Sequence, residues 1–293
     1  TLSHLMYMDD IKLYAGSKQA LEHLIQITSR FSKDIKMNFG LEKCKTVQIV
    51  KGKLRTENIG TANDNEIITA LSQGDTYKYL GVQQARQTEH VIIKEEVKAK
   101  FKSRVKMLLK SSLSSGNLIR AINTYAVPVL TYTFGIVRWT QTDLDDLERN
   151  IRTMLTANKM LHPNSAIERQ SLPRNVGGRG ITNLAELHAR QINNIKKYFM
   201  RRKDESRLHD IIVKTDKAYT AANLSCIEEY KARGRTTTDR LEQWKQKSLH
   251  GRYPAEIEKE HIDKKTSLLW LQKGYLFPET EGFIMAIQDE VIR

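Results

Sequence analysis

Residues 2–15, LSHLMYMDDIKLYA, decide how the first part of the chain is read. Apolar and aromatic residues stand on both sides of Asp9-Asp10, and nothing else in the stretch favours a turn. That is the pattern of two short strands joined by a two-residue turn at Asp9-Asp10. Past Gly16-Ser17 the apolar spacing lengthens to that of a helix. Leu21, Leu24, Ile25, Thr28, Phe31 and Ile35 recur on one face, with Ser17 as the N-cap. MNFGLEKCK (37–45) breaks this helix. TVQIV (46–50) alternates as a half-buried strand does, with Val47 and Ile49 on one face. Residues 51–65 are polar and turn-rich, and EIITAL (66–71) and YKYLGVQQ (77–84) are two further short strand candidates. Few strands, one helix and no β-α-β alternation predict an α+β segment.

From Glu89 on, the pattern is almost wholly helical. Ile93, Val97, Phe101, Val105 and Leu108 keep a three-to-four spacing through residue 110. A second helix from about Leu118 meets Pro128, which lacks an amide hydrogen and should kink or end it. Thr142-x-x-Asp145 has the form of a capping box and predicts the start of a third. Its apolar stripe is Leu144, Leu147, Ile151, Met154 and Leu155, with Pro163 after its end. SLPRNVGGRGIT (171–182) is a glycine-rich loop. A fourth helix from Thr182 carries Leu184, Leu187, Ile192, Ile195 and Phe199. The predicted fold class is α+β: short antiparallel strands plus a helix over 1–88, then mostly α-helical regions over 89–203 and 204–293.

Composition narrows the function. The 293 residues hold 48 Lys+Arg against 34 Asp+Glu, a net charge of +14, and the pI near 9.6 points to a polyanionic partner. An apolar content of 40% is enough for a core and excludes wholesale disorder. No apolar run approaches the roughly 18 to 20 residues needed to span a bilayer, so no membrane is expected. Two cysteines, Cys44 and Cys226, exclude a disulfide framework and a four-cysteine zinc site. They fit a reducing, intracellular setting. There is no secretory signal. The chain opens on Thr1, already in strand-like sequence, and reads as part of something longer.

The residues with chemistry to offer begin with the adjacent carboxylates Asp9 and Asp10. Oxygen ligands suit Mg²⁺, and paired metals about 4 Å apart clamp the attacking and leaving oxygens of a phosphoryl transfer. The plainer reading is that Asp is simply a good turn former. Residues 94–110 hold seven Lys/Arg against two Glu, and 231–252 hold seven against Asp239 and Glu242. Cations at helical spacing beside an apolar stripe can track phosphates; otherwise they are a solvated face. Lys98, Lys102 and Lys106, at i, i+4 and i+8, are the candidates. LPRNVGGRG lacks the Lys-Ser/Thr of a P-loop and reads first as a sharp backbone turn. Arg174 and Arg179, which flank its glycines, keep nucleic-acid contact open. The eight histidines show no metal-ligand spacing. Cys44 reads as a buried strand-start residue, and Trp139, Trp244 and Trp270 as helix anchors.

LMYMDDIKLYA (5–15) resembles motif C of reverse transcriptases, followed as in their palm by a helix. GLEKCKTVQIV (40–50) resembles their next motif, a lysine-bearing loop and strand, and YKYLGV (77–82) the primer-grip hairpin. Order and spacing are similar to those of non-LTR retrotransposon enzymes. YAVPVLTY (125–132), LPRNVGGRGI (172–181) and LLWLQKGYLFPETEGFIMAIQDEVI (268–292) resemble the thumb and post-thumb region of the subgroup with a restriction-enzyme-like endonuclease.

The resemblance implies an RNA-directed DNA polymerase that copies its element's RNA from a nick in target DNA. Residues 1–88 would be part of a palm, 89–203 a helical thumb and 204–293 a post-thumb linker region. Asp9 and Asp10 would be catalytic metal carboxylates for Mg²⁺, or Mn²⁺ in its place, with Asp9 the more direct ligand. Tyr7 and Met8 would sit beneath the primer terminus, and Lys43 near the phosphates of the incoming dNTP. Tyr79, Leu80 and Gly81 would hold the primer end. The partners would be an RNA template and DNA primer, or their hybrid, and the family's place of action is the nucleus. The family's first catalytic Asp and its fingers lie upstream of motif C, and its zinc knuckle and endonuclease would follow Arg293. A two-metal site needs that upstream carboxylate, so the expectation is that this chain alone does not polymerise. The competing expectation is a non-catalytic nucleic-acid-binding module, decayed or co-opted from such an element.

Overall fold

The computed structural model describes residues 2–37, 40–60, 67–72, 74–84, 89–226, 228–232 and 234–292. Asn38 and Phe39 of the expected helix break, residues 61–65 of the polar stretch and Glu66 of the expected strand lie outside these. The chain separates into two compact units, Thr1–Ile93 and Lys94–Arg293. Short strands and one helix build the first; helices and loops build the second, so the chain as a whole is mixed α and β.

In the first unit β1 (His4–Tyr7) and β2 (Asp10–Leu13) pair antiparallel, with Tyr7 opposite Asp10. The two-residue turn is therefore Met8-Asp9, one residue earlier than predicted. Met8 takes the left-handed φ of 54° that such a tight turn requires of its first residue. Asp10, predicted in the turn, opens β2 instead. α1 (Lys18–Asp34) starts where expected: the Ser17 hydroxyl accepts from the Ala20 amide at 3.2 Å. Of its apolar stripe Ile25 is buried, while Phe31 and Ile35 are exposed.

The TVQIV stretch is two strands, not one. β3 (Lys45–Thr46) pairs in parallel with β7 (Ile67–Ala70), while β4 (Gln48–Val50) forms a hairpin with β5 (Lys53–Arg55). The cause lies in the following turn: Lys51 and Gly52, at φ 48° and 77°, fold β5 back along β4. Ile49 is consequently exposed rather than half-buried. Residues 53–60, expected as polar turns, also supply β6 (Ile59–Gly60), antiparallel to β7. β8 (Tyr77–Tyr79) and β9 (Val82–Gln84) form a last hairpin around Leu80-Gly81, both at positive φ (47° and 75°). Among the described residues of this unit the buried apolar ones are Ile25, Ile59, Leu71, Val82 and Ile93.

α2 (His90–Leu109) carries the chain across the unit boundary. α3 (Ser115–Ala121), a π-turn (Ile122–Ala126) and α4 (Val127–Phe134) then run on without interruption. Of the kink or end expected at Pro128, the helix does not end; it is distorted into the π-turn just before the proline. Pro128 sits two residues past the π-turn, whose wider winding makes room for its ring. α5 (Gln141–Ala157) begins earlier than predicted. Thr140, not Thr142, is its N-cap, and its hydroxyl accepts from the Asp143 amide at 3.2 Å while Asp143 accepts from the Thr140 amide at 3.0 Å. The sequence offers two overlapping Thr-x-x-Asp boxes; Asp143 prevails because Lys94 and Lys98 also hold its carboxylate.

α6 (Leu184–Arg202), capped by Asn183, and α7 (Arg207–Thr215) follow. α8 (Thr237–Gln246), α9 (Arg252–Ile257), α10 (Lys264–Ser267), α11 (Leu269–Lys273) and α12 (Pro278–Gln288) complete the chain. Residues before and after the expected 203/204 boundary share a core. Ile192 of α6 packs with Val213, Ala222 and Leu224, and Trp244 of α8 with Ala166 and Leu172.

Candidate active site

The β1–β2 hairpin presents Asp9 and Asp10 to solvent. Among the described residues neither carboxylate makes a hydrogen bond or an ion pair. Tyr7 and Met8 beside them are 59% and 81% exposed, an unusual fraction for large apolar groups.

A second hairpin lies against the first. The Lys12 ammonium on β2 donates to the Gln84 side-chain carbonyl at 2.8 Å, and the Tyr77 hydroxyl donates to the same oxygen at 2.9 Å. The same ammonium stands 5.2 Å from the Tyr77 ring, 5.3 Å from Tyr79 and 5.8 Å from Tyr14. Partial burial raises the Tyr79 hydroxyl's pKa, with Tyr14 and Asp10 adding to the rise and Lys12 opposing it. Lys12 thus joins the carboxylate-bearing hairpin to the hairpin of Tyr77 and Tyr79. Lys43 ends a short 3₁₀ turn, Leu41–Lys43, and is exposed. Among the described residues no hydrogen bond or ion pair joins it to either hairpin. Cys44 beside it is half-buried; burial, with Glu42 adding, raises its thiol pKa, so it is not an activated nucleophile.

As metal ligands, Asp9 and Asp10 fit by chemistry: adjacent, exposed hard-oxygen donors with no competing partner. By number they stop at two. Among the described residues no group of three or more His, Cys, Asp and Glu is arranged to hold a metal.

Residues 1–84 match the family of reverse transcriptases (RNA-dependent DNA polymerases). The matched span, which holds both hairpins, α1 and Lys43, is similar to that family. No curated protein matches the chain. No described helix is long and apolar enough to cross a membrane.

In the second unit the sequence-derived basic candidates divide. Lys98 is committed: its ammonium lies 3.0 Å from Asp143, beside Lys94 at 2.6 Å, and 3.5 Å from Glu95. Burial alone would raise the Asp143 pKa, but hydrogen bonds from Lys94, Thr140 and Lys98 outweigh it and hold the carboxyl well below its ordinary value. Lys102 is half-buried beside Asp146 and Arg149 of α5. Lys106 is exposed, with no ion pair among the described residues.

Arg174 and Arg179 are structural, which corrects the expectation of nucleic-acid contact. Arg174 grips Glu281 at 2.8 and 3.0 Å. Arg179 is fully buried, donates to the Met160 and Pro278 carbonyls, and lies 3.4 Å from Glu281. The glycines between them serve close approach: a Cβ on Gly178 would sit 2.1 Å from the Leu172 carbonyl oxygen. Sequence reasoning missed this cluster because its acid, Glu281, stands about a hundred positions away. It also missed Lys12 and Gln84, whose pairing no periodicity announces.

Proposed function

We propose that this chain is the motif C part of the palm (1–88), the helical thumb (89–203) and the post-thumb linker region (204–293) of a non-LTR retrotransposon reverse transcriptase. The subgroup is that with a restriction-enzyme-like endonuclease, acting in the nucleus by target-primed reverse transcription. One observation carries the reading: two adjacent, unpartnered carboxylates at the tip of a hairpin, inside the segment that matches reverse transcriptases, in a hairpin that Lys12 ties to the Tyr77–Gln84 hairpin.

In this reading Asp9 and Asp10 hold Mg²⁺ or Mn²⁺, with Asp9 the more direct ligand. The bound metal supplies positive charge that favours the attacking 3′-oxygen as an alkoxide and stabilises the phosphoryl centre. Tyr7 and Met8 support the primer terminus, and Tyr79, Leu80 and Gly81 fix its position against the hairpin. Lys43 supplies positive charge for the phosphates of the dNTP. Lys102 and Lys106 follow the backbone of the RNA–DNA hybrid, whose near-A-form shape is read without sequence. Among the described residues the site offers two carboxylates, and the reading expects the 293-residue chain by itself to bind metal weakly and not to extend a primer.

Paramagnetic Mn²⁺ tests the site. Substoichiometric Mn²⁺ should broaden the amide resonances of residues 8–11 first, and D9N should abolish that selectivity. Uniform broadening, or template-directed dNTP incorporation by the isolated chain, overturns the corresponding part of the reading.

A further inference from the structure

We infer that the groove between α6 and residues 228–232 binds single-stranded nucleic acid, with Tyr230 stacking on a base and Arg190, Lys197 and Lys231 meeting the phosphates. The inference stands on the second unit alone and is independent of any role for Asp9 and Asp10.

The groove is a cavity of about 580 Å³ lined by α6, by residues 229–232 and by the start of α8. Its acids are already engaged. Glu186 accepts from the Thr237 amide at 3.0 Å and its hydroxyl at 2.6 Å. Asp239 accepts from the Thr236 amide at 2.9 Å. Glu229 faces Lys197 at 3.4 Å, an exposed pair that solvent weakens. Arg190 and Lys231 are exposed, and among the described residues they have no hydrogen bond or ion pair. Glu186 and Asp239 keep their charge but direct it at the amides and hydroxyl at the start of α8, which leaves Arg190 and Lys231 as the lining's cations without a carboxylate partner among the described residues.

Tyr230 lies in the same lining and is held in place. The Asn193 carboxamide accepts from the Tyr230 amide at 2.9 Å and donates to the Tyr230 carbonyl at 2.9 Å, so one side chain satisfies both backbone groups. The ring meets the buried His188 edge to face, centroids 5.2 Å apart at 88°, and stays 38% exposed. An aromatic ring fixed before binding loses little conformational freedom when a ligand arrives. Fixed aromatics beside backbone-tracking cations are what sequence-tolerant single-strand sites are made of. A duplex keeps its base faces stacked inside and offers Tyr230 nothing, which is why the inference commits to an unpaired strand.

The test uses the full chain and short fluorescein-labelled oligo(U) and oligo(dT), titrated by anisotropy over a range of salt. R190Q/K231Q, which alters only exposed groups, should weaken binding and flatten the log K against log salt slope by about 1.4, two single-strand phosphates' worth. Y230L should weaken binding about tenfold with the slope unchanged, and Y230F, which keeps the ring, should bind as the parent does. Tight binding of either strand supports the site, and the ratio of the two says whether RNA or DNA is preferred. Parental affinity and slope in R190Q/K231Q, parental affinity in Y230L, or equal competition by a blunt duplex would each overturn it.

Discussion

The Lys12 ammonium reaches from β2 to the Gln84 side chain on β9, 2.8 Å away, and in doing so ties the carboxylate-bearing hairpin to the Tyr79 hairpin. Three tyrosine rings surround the same ammonium at 5.2 to 5.8 Å. Each such contact is worth about 0.5–1 kcal/mol where solvent reaches it. K12M should therefore loosen the junction by about 1–2 kcal/mol, and amide exchange over residues 77–84 should quicken. K12R, which keeps a cation and a donor, should stay close to the parent. Unchanged exchange in K12M would show that the two hairpins are held by other contacts.

The first hairpin and the helix after it were legible because their signals are local, alternation and an N-cap serine; YKYLGVQQ, read from its residues as one strand, is a hairpin because Leu80-Gly81 turns at positive φ. The misreadings came where two local solutions compete. Asp9-Asp10 and Met8-Asp9 are both acceptable turns, and cross-strand pairing of Tyr7 with Asp10 chooses between them. Thr140 and Thr142 both head a Thr-x-x-Asp box, and two lysines from another helix choose. The site's carboxylates could be read from residue type and order alone. That Arg174 and Arg179 point inward could not, since it depends on Glu281, placed beside them only by the packing of α12.

Arg169 and Asp289 are both fully buried and meet at 3.0 Å, and Asp289 also accepts from the Ala166 amide. D289A removes the carboxylate and leaves a buried guanidinium without it. A loss of about 3–5 kcal/mol is expected, because an uncompensated buried charge costs more than the pair contributes. R169M/D289A should lose less than the two single variants summed. Urea midpoints of the four proteins decide it; strict additivity would mean the pair is not coupled.

Burial lowers the His188 pKa from 6.5 to about 4, among Phe134 and Tyr230 rings that meet it edge-on. Between those two values the unfolded chain takes up a proton that the folded chain refuses. Stability should therefore fall on acidification from pH 6.5 towards 4, at up to about 1.4 kcal/mol per pH unit from this residue. H188F keeps an aromatic ring there and cannot titrate. Its stability should be flatter than the parent's across that window and parallel to it above pH 7. Parallel curves throughout would mean that His188 ionises freely in the folded state.

Lys98 and Lys106 sit two turns apart on α2, yet only one is free to meet a phosphate. Lys98 is held by Asp143 at 3.0 Å, whereas Lys106 is exposed and unpaired among the described residues. For an RNA–DNA hybrid, K106Q should weaken binding and lower the magnitude of the salt slope by about one. K98M should leave that slope at its parental value and instead lower the urea midpoint, because Asp143 then caps α5 with one lysine fewer. If K98M flattens the slope as much as K106Q does, the Lys98–Asp143 pair opens when nucleic acid binds, and the whole face of α2 takes part in holding the hybrid.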